Sequence, residues 1–204
     1  METTNPWVRS IDEASADDDV HVGVLTLPRP AAALAPQPAV VEPGHSERFA
    51  RRTIRASDAM DLWWVGAHGG AGESTLEQLL ERSGAAGHAW PIMADQQAPP
   101  ARVVLVARTH ATGLRAAQQA ATEWAAGLVA VKLVGLVLIA DAPGRLPRVL
   151  RDYAQLVCGA VPRAWRLPWI EAWRSGEPVC ARRAPNDVGR VLDDLRAQCT
   201  SHTT

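Results

Sequence analysis

The sequence predicts an α/β fold, a mostly parallel sheet flanked by helices, behind an N-terminal tail without a core of its own. Three observations lead there. From residue 58 onward, short apolar runs alternate with segments of helical periodicity, the order expected of parallel strands joined by helical crossovers. Two of the runs, "ARVVLVAR" (101–108) and "KLVGLVLIA" (132–140), are continuous enough for strands buried on both faces. Between an apolar run and a helical pattern lies a glycine-rich turn, "GAHGGAGES" (66–74).

Residues 1–48 form the tail. They hold eight acidic side chains and three arginines, and "PRPAAALAPQPAVVEPG" (28–44) is rich in Pro and Ala with few large apolar groups. Such a stretch cannot bury enough surface to offset the entropy of ordering, so a disordered tail is expected. Within it, Val20, Val22 and Val24 alternate in "VHVGVLTL" (20–27), which reads either as a strand that docks on the body or a partner, or as an extended piece of tail.

Residues 49–204 form the body, with a core over about 60–180. "DLWWVGA" (61–67) reads as its first strand, ending in glycines. "STLEQLLERSG" (74–84) sets Leu76, Leu79 and Leu80 on one helical face, with Gly84 as the stop. "HAWPIM" (88–93) is a weaker strand because of Pro91. After the strand at 101–108, a helix over 111–127 turns Leu114, Ala117, Ala121 and Trp124 inward. The strand at 132–140 leads to a helix over 145–159 with Leu146, Val149, Leu150, Tyr153 and Leu156 facing in. "RAWRLPW" (163–169) is a last short strand. The closing helix (186–199) takes Asn186 as its N-cap and Val188, Val191, Leu192 and Leu195 as its apolar stripe.

The net charge of -1 hides an acidic tail and a mildly basic body, which argues against bulk nucleic-acid binding by charge alone. Cys158, Cys180 and Cys199 form no C-x-x-C pair and no cluster with metal spacing; an odd, sparse set suits a reducing cytoplasm, the expected location. The apolar run at 127–140 is interrupted by Lys132 and too short to span a bilayer, so no membrane span is expected.

The glycine turn carries the chemistry. Gly66 and Gly72 enclose five residues, and Glu73 and Ser74 follow. Gly66, Gly69, Gly70 and Gly72 would let backbone N–H groups line a concave nest for an anion. Ser74 stands where a hydroxyl would ligate Mg²⁺, and His68 could donate to a phosphate. The lysine that usually offsets the outer phosphates is replaced by Glu73. Two like charges ~4 Å apart repel by about 4 kcal/mol at an effective dielectric of roughly 20. The sole lysine, Lys132, precedes a different strand, leaving Arg145 and Arg148 as the candidate substitutes.

"HGGAGESTL" (68–76) resembles the deviant phosphate loop of the ParA/MinD-like ATPases, which reads K-G-G-x-G-K-T/S-T. His68 falls on the family's signature lysine, Gly69, Gly70 and Gly72 on its glycines, Glu73 on its second lysine, and Ser74 and Thr75 on its hydroxyls. The stretches 102–127, 133–143 and 164–179 are similar to later strands, helices and the closing segment of that family. The resemblance covers about residues 60–180 and implies a P-loop NTPase-like sheet. Both lysines are missing, and no strand between 84 and 110 ends in the expected aspartate. "GAHGGAGES", "DAPGRLP" and "PWIEAWR" also resemble a narrower actinobacterial-type group to which no activity attaches.

"LVLIADAPG" (136–144) ends an apolar run in Asp141, then Ala-Pro-Gly. This matches the D-x-x-G turn in which an aspartate bonds a Mg²⁺ water, so Asp141 is the candidate metal residue; a plain polar turn is the alternative. His110, at a strand end, is a weaker ligand candidate, and His88 reads as structural. Trp165, Trp169 and Trp173 recur every fourth residue, and an exposed Trp173 between arginines would suit a protein-binding patch. Arg145, Arg148, Arg151, Arg163, Arg166 and Arg174 gather positive charge that Asp17–Asp19 of the tail could cover.

These features lead to a non-catalytic or weakly nucleotide-binding module acting as an interaction or regulatory protein. The resemblance implies a plasmid, conjugation or division-type assembly. No cofactor is required, ATP or GTP with Mg²⁺ being what an intact loop would take. The expected partner is a protein, a second copy of the chain included. Two alternatives stand beside it: an NTPase whose missing cation comes in trans, and a nucleic-acid-binding accessory using the arginine patch.

Overall fold

The computed structural model describes residues 48–200 without a break, and positions 36, 40 and 44 before them. The expected strand at 20–27 and most of the tail lie outside the described residues.

The body is a mixed α/β structure around a five-stranded sheet in the order β3-β2-β5-β6-β7, all four neighbouring pairs parallel. In chain order, β2 is Leu62–Gly66, β3 Ser83–Ala85, β5 Ala101–Arg108, β6 Val131–Ile139 and β7 Ala164–Leu167. Two further strands, β1 (Ala50–Ile54) and β4 (Ala89–Met93), form a separate parallel pair. The helices are α1 (Glu73–Glu77), α2 (Ala111–Ala125), α3 (Arg148–Gly159), α4 (Glu171–Arg174) and α5 (Asn186–Thr200).

Both faces of the sheet are covered. On one, Leu114, Ala117 and Trp124 of α2 and Ala154 and Val157 of α3 pack on Val103, Leu105, Leu136 and Leu138. On the other, Leu76 of α1 and Val188, Val191, Leu192 and Leu195 of α5 pack on Val104, Val106 and Val137. This two-sided burial is why β5 and β6 are unbroken apolar runs; Lys132 is tolerated because it sits exposed at the start of its strand. A register shift between Val103 and Val104 bends the β5–β6 pair, at a place where a Cβ on Gly135 would lie 2.5 Å from the Arg163 carbonyl oxygen and 2.6 Å from the Trp165 ring.

The fully buried tryptophans have partners for their indole N–H groups. Trp64 donates to Ser83 Oγ at 3.0 Å, Trp165 to Asp194 Oδ2 at 2.8 Å and Trp90 to Glu123 Oε2 at 3.0 Å. Glu123, only 1 % exposed, also accepts from Phe49 N–H at 3.0 Å and from Arg51 Nη2 at 3.1 Å. One desolvated carboxylate on α2 thus ties the chain before β1, β1 itself and β4 to the body.

Several elements differ from the sequence reading. The helix expected over 74–84 stops at Glu77, and Gly84 lies inside β3, not at a helix end. A Cβ there would come 2.9 Å from the Trp63 ring, so the glycine serves strand packing. The strand at 88–93 forms, but pairs with β1 outside the main sheet; an outer position with one partner tolerates Pro91. β1 itself was not anticipated. On α3, Val149 and Leu156 face solvent at 78 % and 64 % exposure, while Ala154, Val157 and Cys158 are buried instead. Asn186 is already helical, and the first α5 carbonyl bonds run to Pro185 O. Trp165 is a buried strand residue and Trp173 packs, partly buried, against the α5 side of the core, so neither offers an open aromatic patch.

Replacing Glu123 by Ala leaves the Trp90 and Phe49 N–H groups without their acceptor in a buried place. The variant is expected to lose about 3 kcal/mol of stability, read as a lower denaturant midpoint in equilibrium unfolding. An unchanged midpoint would show that the β1–β4 pair is held by apolar packing alone.

Candidate functional site

Parallel pairing brings the carboxyl ends of β2, β5 and β6 to one rim of the sheet. β2 delivers the 66–74 loop, β5 delivers Arg108, Thr109 and His110, and β6 delivers Ala140 and Asp141. The sequence-predicted loop residues are therefore together, strand before and helix after.

The loop is anchored at its start by Ala67 N–H donating to Val106 O at 2.8 Å. Gly70 and Gly72 take φ of 75° and 109°, the left-handed region that a side chain would strain. Gly72 is also wedged against β6: a Cβ there would lie 2.8 Å from Ile139 Cδ1. It caps α1, its carbonyl accepting from Thr75 and Leu76 N–H, each at 3.1 Å.

Glu73 turns inward. Its Oε2 accepts from Gly72 N–H at 3.1 Å, and the carboxylate lies so close to Gly66 that a Cβ on that glycine would be 2.6 Å from Oε2. The loop's own carboxylate thus occupies the concave side next to its first glycine. The positive end of the short helix favours an anion at this point. Ser74 is exposed, and its carbonyl accepts from Gln78 Nε2 at 3.0 Å.

A guanidinium does reach the loop, from a residue the sequence reading passed over. Arg108, at the end of β5, donates from Nε to Gly70 O at 3.4 Å and from Nη1 to Ala140 O at 3.1 Å. It bridges the loop to the end of β6 through carbonyl oxygens. Burial pushes its pKa down, Asp141 opposes that, and Arg174 adds to it. Arg145 and Arg148 do not take this role: Arg148 is exposed and lies 3.8 Å from Asp152, one turn along α3. The only advance signal for Arg108 was its position as the last residue of a buried strand.

Three histidines surround the loop. His68 has both ring nitrogens engaged: Nδ1 donates to Gly69 O at 2.9 Å, and Nε2 accepts from Arg108 N–H at 3.0 Å. That pairing requires the neutral ring protonated at Nδ1. His110 stands 4.8 Å away, edge to face, and its Nδ1 caps α2 by accepting from Gly113 N–H at 3.0 Å. The crowding leaves no room for a side chain on Gly113, where a Cβ would lie 2.5 Å from Arg108 O and 2.8 Å from His68 Nε2. His88 Nδ1 donates to Gly66 O at 2.8 Å. His68 is thus part of the loop's scaffold, with neither nitrogen directed at a ligand.

Asp141, the candidate metal residue, is exposed; its N–H donates to Thr109 Oγ1 at 3.1 Å. Among the described residues no group of three or more His, Cys, Asp or Glu side chains is arranged to hold a metal ion. No described helix is long and apolar enough to cross a membrane. Cys158 is buried, and burial pushes its thiol pKa up, against the neighbouring Arg166.

Burial holds the His68 pKa below its ordinary 6.5, with the Gly69 hydrogen bond opposing. The unfolded chain therefore takes up this proton at higher pH than the folded one. The stabilisation is complete above 6.5 and is lost as pH falls toward the lower folded value. Against His68→Gln, the stability advantage of the native chain is expected to shrink between about pH 7.5 and about pH 5.5. Urea unfolding at the two pH values measures it, and a constant difference would contradict the neutral tautomer.

Comparison with known proteins places the chain in one family. Residues 60–191 match a model described as a family of unknown function, DUF6668, and the chain belongs to that family. The match takes in the loop, the whole five-stranded sheet and the start of α5. No curated protein and no solved structure matches the chain.

Proposed function

We propose that this DUF6668 member is a P-loop-like module of ParA/MinD-like ancestry that does not turn over nucleotide and works as an interaction or regulatory protein. The observation that supports this reading is the inward Glu73: its carboxylate accepts the Gly72 N–H and lies against Gly66, where a phosphate oxygen would otherwise be received. A bound triphosphate would have to displace that carboxylate and then bear its charge.

The electrostatics favour inactivity over weak activity. A repulsion of about 4 kcal/mol, at ~4 Å and an effective dielectric of roughly 20, corresponds to about a thousandfold loss of affinity. Arg108 is tethered by Nε and Nη1, two of its five N–H donors, to the Gly70 and Ala140 carbonyls, which limits how far its guanidinium can turn toward a phosphate. At the rim Asp141 is exposed, and among the described residues no group of three or more His, Cys, Asp or Glu side chains could hold a metal ion. The cation supplied in trans and the arginine-based nucleic-acid reading gain no specific support from this arrangement. The setting in a plasmid, conjugation or division-type assembly, and a cytoplasmic location, belong to the same proposal.

Titration with ATP or GTP and Mg²⁺ tests it, followed by tryptophan fluorescence, since Trp63 and Trp64 lie in β2 just before the loop. The native chain is expected to show no saturation at millimolar nucleotide. Glu73→Ala should bind inorganic pyrophosphate measurably, and Glu73→Lys should bind nucleotide at least tenfold more tightly than Glu73→Ala. Micromolar binding with turnover by the native chain would end the proposal.

A further inference from the structure

Helix α3 leaves a mixed apolar and basic face uncovered. Val149 and Leu156, seven residues apart and so on one side of the helix, are 78 % and 64 % exposed, the two most exposed large apolar side chains among the described residues. Arg145, just before α3, and Arg148, on it, are exposed on this flank, whereas Arg151 lies about 160° round the helix from Val149. Asp152, 3.8 Å from Arg148, is the acidic residue on this side of the helix. The helix is amphipathic in the ordinary sense on its other side, where Ala154, Val157 and Cys158 are buried. Its outer face therefore carries apolar groups that packing within the body does not use.

The sequence holds a segment of matching character. Asp17, Asp18 and Asp19 run directly into "VHVGVLTL" (20–27), an acidic triplet followed by five Val or Leu residues. The geometry of the chain brings this segment within reach. Pro36 lies against the end of α2, 3.7 Å from the place of a Cβ on Gly127. α2 and α3 follow parallel strands on the same face of the sheet, and Tyr153 Oη donates to Gln118 Oε1 between them at 2.6 Å. The end of α2 is thus beside the end of α3. Eight residues lie between Leu27 and Pro36, a reach of roughly 30 Å when extended. The twelve residues of α3 span only about 18 Å.

We propose that residues 17–27 of this chain dock on the outer face of α3, Asp17–Asp19 against Arg145 and Arg148, and the Val/Leu residues against Val149 and Leu156. The contact is intramolecular and covers the face until a competing partner displaces the tail. It stands independently of the reading of the 66–74 loop.

Methyl NMR on the full-length protein tests it. Nuclear Overhauser contacts are expected between the Val24, Leu25 or Leu27 methyls and those of Val149 or Leu156. Val149→Ser with Leu156→Ser changes only exposed side chains, so the body should stay folded while shifts of the tail methyls move to those of a free peptide. Asp17→Asn, Asp18→Asn and Asp19→Asn together should weaken the contacts, as should raised salt. Absence of these contacts in the native protein would overturn the proposal. So would their appearance only between labelled and unlabelled chains, which identifies a second copy as the occupant, or tail shifts indifferent to the double serine variant.

Discussion

Every functional position discussed above follows from one constraint: the main sheet is wholly parallel. Parallel strands need crossovers that cover both faces, so α2 and α3 bury one side and α1 and α5 the other. With both faces closed, the rims are where backbone and polar side chains remain accessible. All strands end on the same rim, so residues distant in sequence, Gly66, Arg108 and Asp141, become neighbours without any of them being chosen for contact with the others. The order β3-β2-β5-β6-β7 then decides which neighbours the loop has: β5 beside it, and β6 one strand further. An open parallel sheet of this type offers its ligand crevice at this edge. What fills the crevice here is the chain's own chemistry.

On the proposed reading, that chemistry has the charges of a phosphate site exchanged. An anion, Glu73, lies in the concave loop, and a cation, Arg108, ends the adjacent strand. The arrangement is self-consistent. The carboxylate takes the Gly72 N–H, the guanidinium takes the carbonyl oxygens of Gly70 in the loop and Ala140 after β6, and neutral His68 links the loop to the β5 backbone. Hydrogen bonds to charged partners contribute about 1.5–3 kcal/mol each when well formed; the 3.4 Å contact from Arg108 to Gly70 O is at the weak end. The loop is therefore held in shape by its own side chains and does not depend on a ligand for it.

Much of this fold was legible in the sequence where a physical signal was strong and local. β5 and β6 are long apolar runs and emerged within one residue of their expected ends; α2 and α5 carry apolar stripes that are buried as expected. The failures have equally physical reasons. β1, "ARRTI", is mostly exposed, so it has no hydrophobic period; it exists because Glu123 and β4 hold it. Helix 74–84 was read from its leucines, yet Leu79 and Leu80 are buried from a turn, which the apolar period alone does not distinguish from a helix. On α3 the apolar residues outnumber what one side of the sheet can cover, and periodicity could not say which would be left out. At the loop, the residue types were legible, and the sign change at Glu73 was the main clue. Arg108 was not, because its relevance comes from strand order, a property no local pattern encodes.

The two inward carboxylates of this chain show why burial alone does not define a site. Glu123 is almost fully desolvated and meets a guanidinium, an indole N–H and a backbone N–H. Its charge is compensated from three sides, so removing any one partner leaves a buried group exposed to the full cost of desolvation. Glu73 is half-buried and accepts one backbone N–H, at 3.1 Å. A single such bond is worth about 1–3 kcal/mol at most, so moving the side chain aside is cheap compared with breaking the Glu123 cluster. On the proposed reading, a polyanion would be kept out of the loop by the charge and not by the plug: wherever the carboxylate rotates within a few ångströms, its field acts on the same space. A neutral side chain of equal size would fill the cradle equally well and exclude phosphate far less. In the function proposed, the sign of the group at position 73, more than its shape, is what would separate this loop from one that binds nucleotide.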